Sequence, residues 1–257
     1  MVIGWADAGY VGIRGIEYIE EELDAQLVGE IDLSPYIPMP KSRIDKGVMR
    51  RLEFPKGELS LLRDERIILF KGEVPKIKQI ELAREIVELA LELCVRRIYT
   101  IGGFQAPTHH LDEPRVLGVV NKAELKEELS LYGIDTEWDY YGTTSMNGLI
   151  LAISKDEGIE GISLWGEVPN YLSGIPYPKI TRALLLPLSN MLRMNIDFSD
   201  LDEEVRVSQE KINDIVENLS ESHPEFRSYL EELRKDRGGI DNLLKEIEDF
   251  LRGEDGR

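Results

Sequence analysis

From residue 1 to about residue 198 the chain alternates short apolar runs with longer stretches of helical period. That alternation narrows the fold to a sheet covered by helices on both faces. Met1-Val2-Ile3-Gly4-Trp5 reads as a short buried strand, and Ala6-Asp7-Ala8-Gly9 as a turn into a helix with Ile13, Ile16, Ile19 and Leu23 on one face. Residues 25–33 read as a second strand. Residues 34–47 hold three prolines and read as an irregular crossing. Residues 48–54 and 58–63 flank Pro55-Lys56-Gly57 and read as a hairpin, and 66–70 as a fully buried strand. Further helices are expected over 76–95, 122–132, 146–155 and 179–193, the last kinked at Pro187. Further strands are expected over 97–101, 115–120 and 161–165. The fold class is therefore α/β, a largely parallel sheet flanked by helices.

After Phe198 the texture changes. Glycine disappears until Gly238, and Leu201, Val205, Ser208, Ile212, Ile215 and Leu219 step by three and four, an apolar seam on one helix. Ser222-His223-Pro224-Glu225 has the form of a capping box opening a second helix with Phe226, Leu230 and Leu233. Gly238-Gly239 precede a third, marked by Ile240, Leu243, Leu244, Ile247 and Leu251. The chain thus divides into an α/β domain, 1–198, and an acidic helical extension, 199–257, which carries 18 acidic and 9 basic residues.

The formal net charge is −18 over 257 residues. A surface that tracks phosphates should be basic, so neither nucleic acid nor an anionic membrane is an expected partner. The excess of Glu, Lys and Arg suits a heat-adapted surface laced with ion pairs. The lone cysteine, Cys94, cannot form an internal disulfide and reads as a small residue on an apolar helix face. With no signal-peptide pattern and no bilayer-length apolar run, the expected location is the cytoplasm.

In open α/β sheets ligands sit beyond the carboxyl ends of the strands. Four glycine-rich or polar segments fall at such places: 4–9, 102–105, 142–148 and 165–171. They give Trp5, Asp7, Gly9, Gly102, Gly103, Thr143, Thr144, Asn147, Trp165, Glu167 and Tyr171 as candidates lining a common cleft. Asp7 and Glu167 would be its paired carboxylates. Gly9, Gly12 and Gly15 lack the order of a phosphate-binding loop and read as packing glycines. Thr144 or Ser145 would cap the helix from 146. His109 and His110, if on a strand, would point to opposite faces, and no partner at ligand spacing makes them a metal site. The sequence does not single out a catalytic residue, and no metal or cofactor is expected.

Taken in order, these segments resemble the proteasome assembly chaperone 2 family over residues 1 to about 198. The matching stretches are Gly4-Trp5-Ala6-Asp7-Ala8-Gly9, Thr100-Ile101-Gly102-Gly103 with Pro107-Thr108-His109, the 142–148 loop, and Leu164-Trp165-Gly166-Glu167-Val168-Pro169-Asn170-Tyr171. The resemblance implies a sandwich similar to purine nucleoside phosphorylases, and a protein-binding assembly factor for proteasome α subunits or a related complex. It also implies self-association as a trimer or larger ring. Some members are labelled ATP-grasp, but no nucleotide motif stands here. Archaeal members that dock by a hydrophobic-Tyr-X ending differ from this sequence, which ends Arg252-Gly253-Glu254-Asp255-Gly256-Arg257. Leu201, Val205, Ile212, Ile215 and Leu219 are then the candidate partner or assembly residues. The alternative is an enzyme acting on a nucleoside-like or other small polar ligand in the cleft, with Arg14 and Arg43 the nearest cations for a phosphate.

Overall fold

A computed structural model describes residues 1–234. Seven strands form one sheet in the order β2-β5-β6-β1-β7-β9-β8. They are β1 (Val2–Trp5), β2 (Gln26–Asp32), β5 (Lys56–Leu62), β6 (Ile67–Gly72), β7 (Arg97–Ala106), β8 (Val116–Val120) and β9 (Glu160–Pro169). The four inner strands β6-β1-β7-β9 are parallel, whereas β2 and β5 at one edge and β8 at the other run antiparallel to their neighbours. The sheet is therefore mixed, parallel only at its centre.

Two apolar layers flank it. On one face α1 (Val11–Glu22) and α5 (Pro178–Leu192) bury Ile16, Ile19, Leu184, Leu185 and Leu188 against Val2, Ile101 and Leu164. On the other, α2 (Gln79–Glu92) and α4 (Met146–Asp156) bury Leu82, Ile86 and Ile150 against Ile3, Phe70 and Ile98. A short α3 (Leu125–Ser130) sits beside β8. The strand β7 does not stop at its glycines but continues to Ala106, and α5 runs on through Pro187.

Several local expectations are corrected. The hairpin is not 48–63. Strand β4 (Val48–Glu53) pairs with β3 (Lys41–Asp45), a strand inside the expected irregular crossing, and the two form a separate ribbon. Helix α2 ends at Glu92, and Cys94 lies beyond it, exposed, with φ of 54°. Val95 N donates to Ala90 O and Cys94 N to Leu91 O, a left-handed helix stop of the kind glycine usually makes.

Helix α6 (Ser199–Ser222) lies on α5, and helical residues continue over 224–234. Its buried stripe holds Leu201, Ile212 and Val216, with Val205 half-buried. Ile215 and Leu219, expected in the seam, are 54% and 42% exposed. The reason is helical geometry: the seam advances from Ile212 to Val216, a step of four, which turns Ile215 outward. The expected capping box does not form. Ser222 ends α6, its hydroxyl donating to Asn218 O, and the next helix starts at 224. The expected break at Gly238-Gly239 and the third helix lie outside the described residues.

Ile212→Asp should cost about 3 kcal/mol or more, because a charge enters the core. Ile215→Asp should stay within roughly 0.5 kcal/mol. Urea unfolding of the two variants checks the difference.

Candidate functional site

Strands β1, β7 and β9 are parallel, so their carboxyl ends share one edge of the sheet, and α4 begins at that same edge. Asp7, in the turn after β1, is the junction. Its Oδ1 accepts from Gly12 N at 3.1 Å, and its Oδ2 accepts from Gly103 N at 2.8 Å. One carboxylate thereby ties the first turn of α1 to strand β7. The contact leaves no room for a side chain at 102, where a Cβ would fall inside the radius of Asp7 Oδ2. Gly12 is crowded as well, its would-be Cβ 2.7 Å from Ile101 O and 2.8 Å from Trp5 N. Burial pushes the Asp7 carboxyl up to about 7, against the opposing pull of the backbone N–H groups.

The neighbouring loops close on the same point. Gly9, at φ of 65°, donates to Ser173 O and accepts from Tyr177 N. Asn147, the second residue of α4, donates through Nδ2 to Ile101 O at 3.4 Å. Trp5 is buried edge-on to Phe70, ring centroids 5.2 Å apart. Asp7, Gly102, Gly103 and Asn147 are therefore brought together as a packed, hydrogen-bonded junction rather than as the walls of an open cleft.

The open space lies beside it. A half-open groove of about 700 Å³ runs between β7, β8, β9 and the loop before α4. Phe104, Trp138, Tyr140 and Trp165 line it, with Thr143, Thr144 and Ser145 along one side. Phe104 and Trp165 meet edge to face at 6.3 Å. Trp138 is anchored by its indole N–H to Gly118 O, and Tyr140 by its hydroxyl to Thr143 O. Ser145 caps α4 by accepting from Gly148 N. Among the described residues the lining has one charged side chain, Lys126, which is paired with Glu137 at 2.8 Å. Four aromatic side chains beside a set of hydroxyls make a surface that binds by burial and stacking.

Two candidates lie elsewhere. Glu167 faces Arg115, at 3.3 Å, which also holds Asp135. Tyr171 belongs to a joint with the helical extension. Its hydroxyl accepts from His110 N at 2.9 Å and lies 2.8 Å from His110 Nδ1. Its ring stands edge-on to Phe226 and Tyr229 of the last described helix. His109 and His110 are not on a strand: they sit in a loop, buried, with rings stacked at 4.4 Å. Burial holds the His110 imidazole neutral, its pKa pushed down to about 4. Lys179 closes the joint through His110 O and Asp112 O. No group of His, Cys, Asp and Glu among the described residues has the arrangement of a metal site. Arg14 pairs with Glu17 and Glu204, and Arg43 lies on the exposed ribbon. Trp138 and Tyr140 are not among the sequence candidates, and of the histidine joint only Tyr171 is. The dense Trp138-Asp139-Tyr140-Tyr141 run in a turn-rich loop was the available signal.

Asp7→Asn leaves one of the two N–H donors facing an amide NH₂, and should cost about 1–3 kcal/mol. The sign with pH is distinctive. The folded carboxyl titrates near 7 and the unfolded one near 3.8, so the folded chain holds the proton more tightly. This site therefore adds stability as pH falls from 7 towards 4 and withdraws it as pH rises. Urea midpoints of wild type and Asp7→Asn across that window should draw apart on the acid side.

A family model described as the PAC2 family matches residues 1–216. An uncharacterized protein of Methanocaldococcus jannaschii is 26% identical over 219 residues, covering 84% of this chain and 82% of that protein. The crystal structure of the proteasome-assembly chaperone homologue of Mycobacterium tuberculosis aligns with a TM-score of 0.73 at 26% identity, covering 90% of this chain and 100% of that one. Pyrococcus furiosus PbaB, an archaeal proteasome activator, aligns with a TM-score of 0.70 at 27% identity, covering 83% and 91%.

Proposed function

The chain belongs to the PAC2 family, and from that premise we propose that it is a protein-binding factor that acts on proteasome α subunits, during their assembly or their activation. It works as a homo-oligomer, a trimer or larger ring, in the cytoplasm. The observation that carries the reading is the likeness, over most of both chains, to one protein described as a proteasome-assembly chaperone homologue and another as a proteasome activator. The aromatic groove supports it physically. Trp and Tyr side chains that are anchored at one end and open at the other are suited to a protein interface.

The alternative reading, an enzyme for a nucleoside-like ligand, takes support from the groove's volume, which suits a small molecule. Its lining favours binding over chemistry, since the one charged side chain it holds among the described residues is already ion-paired.

The test is capture of partners from the native lysate by the tagged full-length chain, beside a Trp138→Ala/Tyr140→Ala variant. Recovery of proteasome α subunits by wild type, reduced roughly tenfold by the variant, is expected and assigns the groove as the contact. Equal recovery by both keeps the function and moves the contact off the groove. Absence of α subunits from the wild-type capture at low and moderate salt contradicts the proposal.

A further inference from the structure

A second cavity, of about 330 Å³, lies between the histidine loop, α6 and the helix over 224–234, apart from the aromatic groove. His109, His110, Asn213, Arg227 and Arg234 bring nitrogen to its lining. Both nitrogens of the His110 ring are taken, Nδ1 by the Tyr171 hydroxyl and the other by Asn213. His109 differs. Leu111 N donates to its Nδ1 at 3.2 Å, so the neutral ring carries its proton on Nε2. The residue is 4% exposed, yet among the described residues this N–H meets no acceptor. It is not among the polar atoms sealed from solvent, so a group in a cavity that His109 lines can reach it. A buried donor of this kind gains most from a charged acceptor.

The cations beside it are unspent. Arg227 gives its Nε–H to Ser220 O and makes no ion pair among the described residues, and Arg234 makes neither an ion pair nor a hydrogen bond there. That is notable in a chain of net charge −18, where carboxylates are plentiful. Burial first and then Arg234 act against a charge on His109, Lys179 adds to Arg234, and Asp112 opposes them. The potential at the ring is therefore positive on balance. Glu217 and Glu231 also line the cavity, and neither acts appreciably on that ring. They would repel a dianion, which favours a singly charged guest. Val216 and Leu230, both largely buried, supply an apolar wall. The complement of this lining is one negative charge on an apolar body, and the volume suits a small molecule.

We propose that this cavity is a binding site for a small organic monocarboxylate, its oxygens taken by His109 Nε2–H and the Arg234 guanidinium and its apolar body laid on Val216 and Leu230. The lining comes from the loop of the α/β domain and from both helices beyond α5, so the bound anion joins the two parts of the chain. By mass action it stabilises the seat of the helical extension. The site is separate from the aromatic groove and holds whatever partner that groove takes.

The test is titration of the full chain with hexanoate, followed by the ring nitrogen resonances of His109 and by the melting temperature. Both should move along one saturating curve. Hexan-1-ol, the same body without the charge, should move neither, and inorganic phosphate should bind more weakly than hexanoate. Arg234→Met changes an exposed side chain without a structural contact among the described residues, so the fold is kept, and hexanoate should bind roughly tenfold more weakly. Glu217→Gln/Glu231→Gln should narrow the gap between phosphate and hexanoate. Absence of a saturable shift at His109 overturns the proposal. So does equal hexanoate affinity in wild type and Arg234→Met, a response to hexan-1-ol equal to that for hexanoate, or tighter binding of phosphate than of hexanoate by wild type.

Discussion

One carboxylate, that of Asp7, takes the backbone N–H of Gly12 with one oxygen and that of Gly103 with the other. The two donors are far apart in the chain but adjacent in space, one in the first turn of α1 and one in β7. A helix start leaves unpaired N–H groups and a partial positive charge, and a carboxylate answers both. A strand that continues past its neighbour leaves an N–H without a ladder partner, and the second oxygen answers that. Asp7 thus fixes where α1 leaves the sheet. The close approach of the helix backbone to the strand backbone explains why Gly12 carries no side chain, and the carboxylate itself explains why Gly102 carries none.

From that junction the rest of the edge is placed. Gly9 zips the turn after β1 to the loop after β9, through Ser173 and Tyr177. Asn147 reaches back to Ile101 and brings the start of α4 to the same spot, which sets one wall of the aromatic groove. The loop after β9 delivers Tyr171 to the buried histidines and to the helices beyond α5. The two centres answer acid in opposite ways. Asp7 gains a proton more readily when folded, while His110 resists one, so falling pH favours the folded state through the first and disfavours it through the second.

Much of this was legible in the sequence for physical reasons. The inner strands are apolar on both faces, and such runs are hard to mistake. Asp7 stood out as a lone acid at a strand end followed by glycines, though its second partner, Gly103, is too distant in sequence for any local pattern to find. Pro55-Lys56-Gly57 has the composition of a turn, whereas Pro55 O accepts from Leu33 N beside the β2–β5 ladder. The real turn is Lys46-Gly47, both with positive φ, as a tight hairpin requires. Trp138 and Tyr140 lie in a loop without period, so neither helix nor strand reasoning reaches them. Ile215 and Leu219 satisfy a seam pattern, and only the direction in which α6 lies on α5 decides that they face outward.

Asp7 holds α1 and β7 together at the sheet's carboxyl edge. Amide hydrogen exchange at Gly12 and Gly103 tests it most directly, in wild type and in Asp7→Ala at matched stability. Both amides should be strongly protected in wild type and lose protection together in the variant, while Ile3 and Ile101 in the adjoining strands keep theirs. Unchanged protection at Gly12 and Gly103 in the variant would contradict the account, because the two N–H groups would then be held by something other than this carboxylate.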